Sequence, residues 1–474
     1  MQTYDNIING KPLASTETFE SYNPATSEVL GLVARSTDVQ IGQAIAAARK
    51  AQPAWAALPD ANRREYLVKA AAVLEENAAY LAELVTREQG KPLTGPGSQF
   101  EIQACVDWTN VPADLELPVE VVFEDETRRD ELHRKPLGVI AAIAPWNWPL
   151  LIATWQIMPS IRAGNTVVIK PSEYTPIGTL EMVRLISKVL PEGVINTVSG
   201  DGTVGRRLCE NPDIDKIMFT GSAATGKKII QASSENLARL TLELGGNDPA
   251  IVLPDADPAA IAEGLFWGAF INQGQTCACA KRLYVHEDIH DAVVAKLKGL
   301  AEAMPMGNGL NDGIVLGPVQ NRRQLDIVSR LTEDAKARGA TIVCGGNSID
   351  GPGNFFPVTL VTDIENDAPL VQEEQFGPVL PVIRYSNTDD AIGMANEGDT
   401  GLGASVWSSD TEKAAAVAGR LDAGTVWINR HGVIHPMVPF GGAKKSGFGL
   451  EFGIEGLKAL TQPQIISISK AEAA

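Results

Sequence analysis

The sequence predicts an α/β protein made of a Rossmann-type parallel-sheet domain, a second α/β domain and a small β arm. Three observations carry this. Five short apolar segments, GVIAAIA, NTVVIK, GVINTVSG, DKIMFTG and RLTLELGG, recur between residues 138 and 246 with helix-like sequence between them. That alternation is expected of parallel strands covered by helices on both faces. From PAIVLP onward a second alternation of helix and strand passes through Val343, Leu380 and Val426. At 474 residues the chain is also too long for one ordinary core.

Taken in order, the first 110 or so residues read as helical. Their clearest pattern is one helix over Arg63 to Glu88, where Leu67, Ala71, Leu74, Ala78, Leu81 and Val85 recur every three or four positions. Gly90 then acts as a stop signal, with Pro92 beyond it. LPVEVVFEDETRRDELHR, Leu117 to Arg134, reads as two strands joined by an acidic turn, the arm. The stretch from Pro136 to Ile161 carries no charge and is long enough to cross a bilayer. Pro145, Pro149 and Pro159 break it, and Asn147 sits between two tryptophans, so strand, loop and buried helix is the expected outcome. In a parallel sheet the ligand lies at the carboxyl ends of the strands, which singles out the loops PWNWP, KPSE, SGDGTVG, FTGSAATG and ELGG. No internal repeat is present, and only the last few residues, SKAEAA, read as a tail.

The composition, 44% hydrophobic and 21% charged, is that of a folded chain. A net charge of -18 opposes nucleic acid and anionic membranes as partners. Five scattered cysteines, and a first segment without an apolar signal region, fit a reducing cytoplasm.

Each chemical motif has a bland reading beside it. GSAATGKK, Gly221 to Lys228, nearly matches a triphosphate-binding loop, but Lys228 stands where a magnesium-binding hydroxyl is needed. What survives is a strand ending in FTG and a serine able to cap a helix, which is either a structural turn or a phosphate site. GDGTVG, Gly200 to Gly205, matches a dinucleotide fingerprint without the acidic residue that should end the next strand. Lys170 and Glu173 in KPSE suit the hydroxyls of a ribose, or form a solvated ion pair. Glu243 near the end of a buried strand is structural or a general base, since a carboxylate there is costly to bury unless paired or used. Asn147 satisfies its own loop or donates to a developing oxyanion. In FINQGQTCACAKR, metal binding by Cys277 and Cys279 is disfavoured by the spacing and by the lack of a second Cys pair or histidine array. An inert buried thiol remains one reading of Cys277, and a nucleophile on an open Gly-Gln-Thr loop the other.

PWNWP, KPSE, FTGS, LELGG, FINQGQTC, EEQFGPV and PFGG occur in this order, and together they closely resemble the aldehyde dehydrogenase superfamily. The resemblance implies domains at 1–112 with 136–244 (NAD-binding), at 245–443 (catalytic), and an oligomerisation arm with C-terminal segment at 113–135 and 444–474. It implies Cys277 as nucleophile, Asn147 as oxyanion donor and Glu243 as general base for thioester hydrolysis. For the cofactor it implies Lys170 and Glu173 on the adenosine ribose, and Gly221, Ser222 and Gly226 along the pyrophosphate. Gly205 then lies near the adenine, and Glu374, Phe376 and Trp146 lie at the nicotinamide side. NAD is expected over NADP, since the Glu173 carboxylate repels a 2′-phosphate, although relatives using both are known. The aldehyde tunnel would be lined by Trp148, Ile152, Trp155, Thr276 and Ala278, with the segment from Arg430 to Val438. These residues favour an aromatic or extended apolar aldehyde, with a semialdehyde held by Arg430 or His431 as the alternative. A CoA-acylating enzyme and a non-catalytic binding protein are the more distant alternatives. The arm and the region of Pro463 to Ser469 would assemble a homodimer or homotetramer. Cys279 either fills space or closes a reversible disulfide with Cys277.

Overall fold

The structure, a computed structural model, describes residues 1–470, so most of the tail expected in SKAEAA lies outside the described residues. All five expected strands of the first domain form: Val139–Ile143, Thr166–Lys170, Ile195–Thr197, Lys216–Gly221 and Arg239–Leu244. They run parallel in the spatial order third, second, first, fourth, fifth, and Gly447–Phe448 adds an antiparallel edge beside the fifth. The strand order reverses between the first and the fourth. Their carboxyl ends carry PWNWP and FTGS, so both loops open into the crevice where doubly wound sheets take ligands.

A second, seven-stranded sheet runs Thr341–Cys344, Thr359–Thr362, Val379–Tyr385, Ala280–His286, Asp248–Val252, Gly403–Trp407, Thr425–Ile428. Only its first pair is antiparallel. Since Leu244 ends the last parallel strand of one sheet and Asp248 begins a strand of the other, the carboxyl edge of the first sheet adjoins the amino edge of the second. The arm forms as read, with Glu120–Glu124 and Arg128–Pro136 joined by an acidic turn. Thr461–Ser469 completes a three-stranded antiparallel sheet within the same chain. Pro463 is tolerated because its strand lies at the sheet edge, where a missing N–H faces away from the ladder.

Two expectations are corrected. The first 34 residues are not helical but form five short strands, from Thr3–Tyr4 to Val29–Ala34. Tyr4, Phe19, Leu30 and Val33 pack with Ile177 and Leu180 of the first domain instead of forming a helical stripe. The Arg63 to Glu88 helix is two helices, Asp60–Glu76 and Ala78–Gln89. Asn77 breaks it: at φ -106° and ψ 13° it leaves the helical region, and its side-chain amide shares the Val73 carbonyl, at 2.8 Å, with its own backbone N–H, at 3.2 Å. Gly90 is the stop expected of it, with φ 100°.

The charge-free stretch is the strand Val139–Ile143, a loop, and the helix Pro149–Arg162, every residue of which is buried. Among the described residues no helix is long and apolar enough to cross a membrane.

Candidate active site

The loops at the crevice build the dinucleotide side first. Gly221 ends its strand and Ser222 caps the helix Ala223–Ala232, its hydroxyl accepting the Thr225 N–H at 3.3 Å. Ser222 is exposed, and the remaining N–H groups of that first turn point to the open end of the sheet, a site for an anion. Gly226 lies against Leu244, where a Cβ would meet its side chain at 2.9 Å. Close packing of helix on strand, and not ligand approach, is what demands glycine there. Lys170 is buried and its ammonium donates to the Pro171 carbonyl at 3.0 Å, 3.7 Å from the half-exposed Glu173 carboxylate. Burial pulls the Lys170 ammonium down and Glu173 opposes this. Gly205 faces the stem of Lys170 with room to spare, the nearest atom standing 3.5 Å from an added Cβ. Between Glu173, Gly205 and Ser222 the surface thus offers a carboxylate, a side-chain-free wall and free N–H groups, which suit the hydroxyls, base and phosphates of a dinucleotide.

At the junction of the two sheets stands Cys277, before the strand Ala280–His286. The chain reaches it through Asn272, Gln273 and Gly274, three successive residues at positive φ (50°, 58° and 68°). Gly274 is required, because an added Cβ would lie 2.3 Å from the Gly377 carbonyl. Against the open loop read in the sequence, Cys277 is only half exposed. Burial holds its thiol well above the ordinary value, and the carboxylates of Glu374, Asp248 and Glu243 push it the same way, while the Ala278 N–H opposes them. The small neighbours that suggested openness instead let three acidic side chains close in.

Glu243 is buried, and neither carboxylate oxygen has a hydrogen-bond partner. Burial raises it well above the usual range, and the carboxylate of Glu451 adds to the rise. Glu451 reaches it through the Gly447–Phe448 strand, whose Gly447 pairs with Glu243. Burial lifts Glu451 itself to about 8, opposed by Lys216, whose ammonium donates to Thr241 at 2.7 Å. Glu374 is likewise pushed up to about 8 by burial. It accepts the Gly246 N–H at 3.2 Å, and Lys281 works against its rise. Phe376, at φ 44°, lies edge-on to Trp146 at 5.3 Å and beneath Lys281.

Asn147 is buried, and its side-chain amide makes no hydrogen bond among the described residues. Its carbonyl accepts from Asn272 at 2.8 Å and from Lys91 at 2.9 Å. Trp148 donates its indole N–H to Thr276 at 2.9 Å, which joins the PWNWP loop to the residue preceding Cys277. Trp148, Ile152, Trp155 and Ala278 belong to one buried cluster against which Cys277 packs, and Phe440 and Phe452 extend it. Trp155 meets Phe452 edge-on at 5.0 Å. Arg430 is exposed, whereas His431 turns inward to Ser405, at 2.9 Å, and to Asp248, at 3.6 Å. Cys279 is fully buried, with its sulfur 3.9 Å from the Ile271 carbonyl.

Sequence reading missed Glu451, Lys281, Asp248 and the pair of Lys91 with Glu101. Lys281 lies within the string FINQGQTCACAKR and Asp248 two residues beyond ELGG, so both could have been found there. Glu451 and Lys91 are brought in from distant segments, and no local spacing marks them. Among the described residues no group of three or more His, Cys, Asp or Glu could hold a metal.

Two α/β sheets meeting around a thiol, with a helix N-terminus at the switch point, define a dinucleotide-linked enzyme architecture. The chain belongs to the aldehyde dehydrogenase family, whose model matches residues 13–466. It is 37% identical over 472 residues to a phenylacetaldehyde dehydrogenase of Pseudomonas fluorescens, covering 96% of this chain and 93% of that one. To a betaine aldehyde dehydrogenase of Rhizobium leguminosarum bv. trifolii it is 35% identical over 480 residues, covering 98% and 96%. An NAD+ complex structure of an aldehyde dehydrogenase from Bacillus cereus superposes with a TM-score of 0.96 at 34% identity, covering 99% and 97%.

Proposed function

We propose that this protein oxidises an aromatic or extended apolar aldehyde to its carboxylic acid with NAD, through a covalent intermediate on Cys277. The observation that carries the reading is the convergence on one half-buried thiol of Glu243, an unpaired carboxylate, and of a loop that presents Asn147, whose only hydrogen bonds among the described residues are to its carbonyl.

Cys277 gives up its proton to solvent, its sulfur bonds to the aldehyde carbon as the carbon–oxygen double bond opens, and the charge is left on oxygen. The Asn147 amide and the Cys277 backbone N–H donate to that oxygen. NAD, when bound, supplies the ring that accepts hydride from this carbon. Glu374 and Phe376 would hold its nicotinamide end, and Glu173, Lys170 and Ser222 its adenosine and phosphates. The carbon is then a thioester. Glu243 removes a proton from water, the water oxygen bonds to the carbon, the carbon–sulfur bond breaks, and the proton returns to the leaving thiolate. A base buried away from cations suits this step, since its raised pKa makes it a stronger proton acceptor once ionised.

The apolar wall of Trp148, Ile152 and Trp155 supports the substrate class. So does the inward turn of His431 to Ser405 and Asp248, which withdraws one of the two side chains, Arg430 or His431, that could hold a semialdehyde carboxylate. Relatives acting on phenylacetaldehyde and on betaine aldehyde lie at almost equal identity, so likeness alone does not choose. The test is the initial rate of NADH formation, without CoA, across aromatic, aliphatic, terpenoid and carboxylated aldehydes. Highest kcat/KM with aromatic or long apolar aldehydes is expected, and preference for succinic semialdehyde would overturn the substrate assignment.

A further inference from the structure

We infer that Lys91, paired with Glu101, is a positioning residue for the oxyanion step: it fixes the peptide plane that aims Asn147 at the reacting carbonyl. This rests on the proposed role of Asn147.

The pair is an expensive feature that no packing need explains. Both side chains are completely shielded from solvent, and apolar residues of similar volume would fill the space without stripping two charges of water. Its contacts all go to one place. The Lys91 ammonium lies 2.5 Å from a Glu101 oxygen, 2.9 Å from the Asn147 carbonyl and 3.5 Å from the centre of the Trp148 ring. The second Glu101 oxygen accepts the N–H groups of Leu150 and Leu151, at 2.9 and 3.1 Å. These are orphan donors in the first turn of the Pro149–Arg162 helix, which has no side-chain cap of its own. One ion pair therefore grips residues 147, 148, 150 and 151. It does so from a turn that is itself immobilised: at Gly90 an added Cβ would lie 2.8 Å from both Pro24 and Pro318.

The Asn147 carbonyl receives a second donor from Asn272, in the left-handed turn leading to Cys277. Two donors on one carbonyl set the rotation of that peptide, and with it the direction of the Asn147 Cα–Cβ bond. Because the side-chain amide has no partner of its own among the described residues, the set of its backbone is what orients it. Burial pulls the Lys91 ammonium down to about 8, with Glu101 opposing, so the charge is kept where it is costly.

Lys91→Met alone strands a buried carboxylate and can unfold the chain, so the decisive variant is K91M/E101Q, whose amide oxygen still serves Leu150 and Leu151. Rapid mixing with aldehyde and NAD gives the rate of the first NADH turnover, NAD affinity is read separately, and N147A and the triple variant complete a cycle. Expected are unchanged NAD affinity, a first-turnover rate reduced by on the order of 10²-fold, and no further loss when N147A is added. A wild-type first-turnover rate in K91M/E101Q, a loss of NAD affinity with it, or losses that multiply with N147A, would overturn the inference. A wild-type rate in N147A would instead overturn the role of Asn147 itself.

Discussion

Glu243 has the least ordinary surroundings of any residue here, and they set a pH dependence. Its carboxyl is held above the usual range, so the base form appears only as pH rises through that higher value. Thioester hydrolysis should therefore climb with pH through a range above that of an ordinary carboxylate. Glu451→Gln removes the neighbouring carboxylate and should shift the acid limb of the kcat profile to lower pH; a shift upward would contradict the electrostatics. In Glu243→Gln the first NADH turnover should survive while steady turnover falls by on the order of 10²-fold or more, measured as a burst without a following rate. Glu173→Gln should raise kcat/KM with NADP relative to NAD. The sequence announced Glu243, Asn147 and Cys277 because each sits at a strand end or beside a distinctive short string. It said nothing of Glu451 or Lys91, whose importance comes from burial and distance, quantities that only the folded chain defines. Even for Cys277 it misjudged the surroundings, because small flanking residues read as openness in one dimension and permit close approach in three.

The elements around the site depend on buried charges. Glu88, near the end of Ala78–Gln89, accepts from Ser21 at 2.7 Å and from the N–H groups of Ile177 and Gly178 at 2.8 and 3.0 Å. It ties the N-terminal strands to the start of the Pro176–Ile186 helix. Burial nonetheless raises it to about 7 from 4.5. A carboxyl whose folded value is raised favours the folded state fully below the unfolded value and loses that contribution as pH rises through the folded one. The contribution lost between pH 4.5 and pH 7 is about 3 kcal/mol. Thermal melting should thus decline across that window, and Glu88→Gln should flatten the decline while lowering stability at its acid end. The parallel strands were legible from apolar runs alone, because strands buried on both faces leave little else. The N-terminal strands were not: they are short and half exposed, and they gain their order from Ile177 and Leu180 elsewhere in the chain.

At the scale of the whole molecule the arm decides the outcome. Val121, Phe123, Ile465, Ile466 and Ile468 are all exposed on one three-stranded sheet, a concentration of apolar surface that soluble chains ordinarily cover. The homodimer or homotetramer proposed for this protein would cover it. Replacing Phe123 and Ile466 by glutamate should reduce the mass measured by light scattering after gel filtration, and an unchanged mass would remove the arm from the interface. The chain also carries a net charge of -18, so a second copy seated on the arm would be one that the rest of the surface repels. Attraction here is short-ranged and indifferent to salt, whereas the repulsion fades once the screening length falls to about 10 Å near 0.1 M. Salt should accordingly act as the glue, and a dilute, desalted sample should be the one that comes apart.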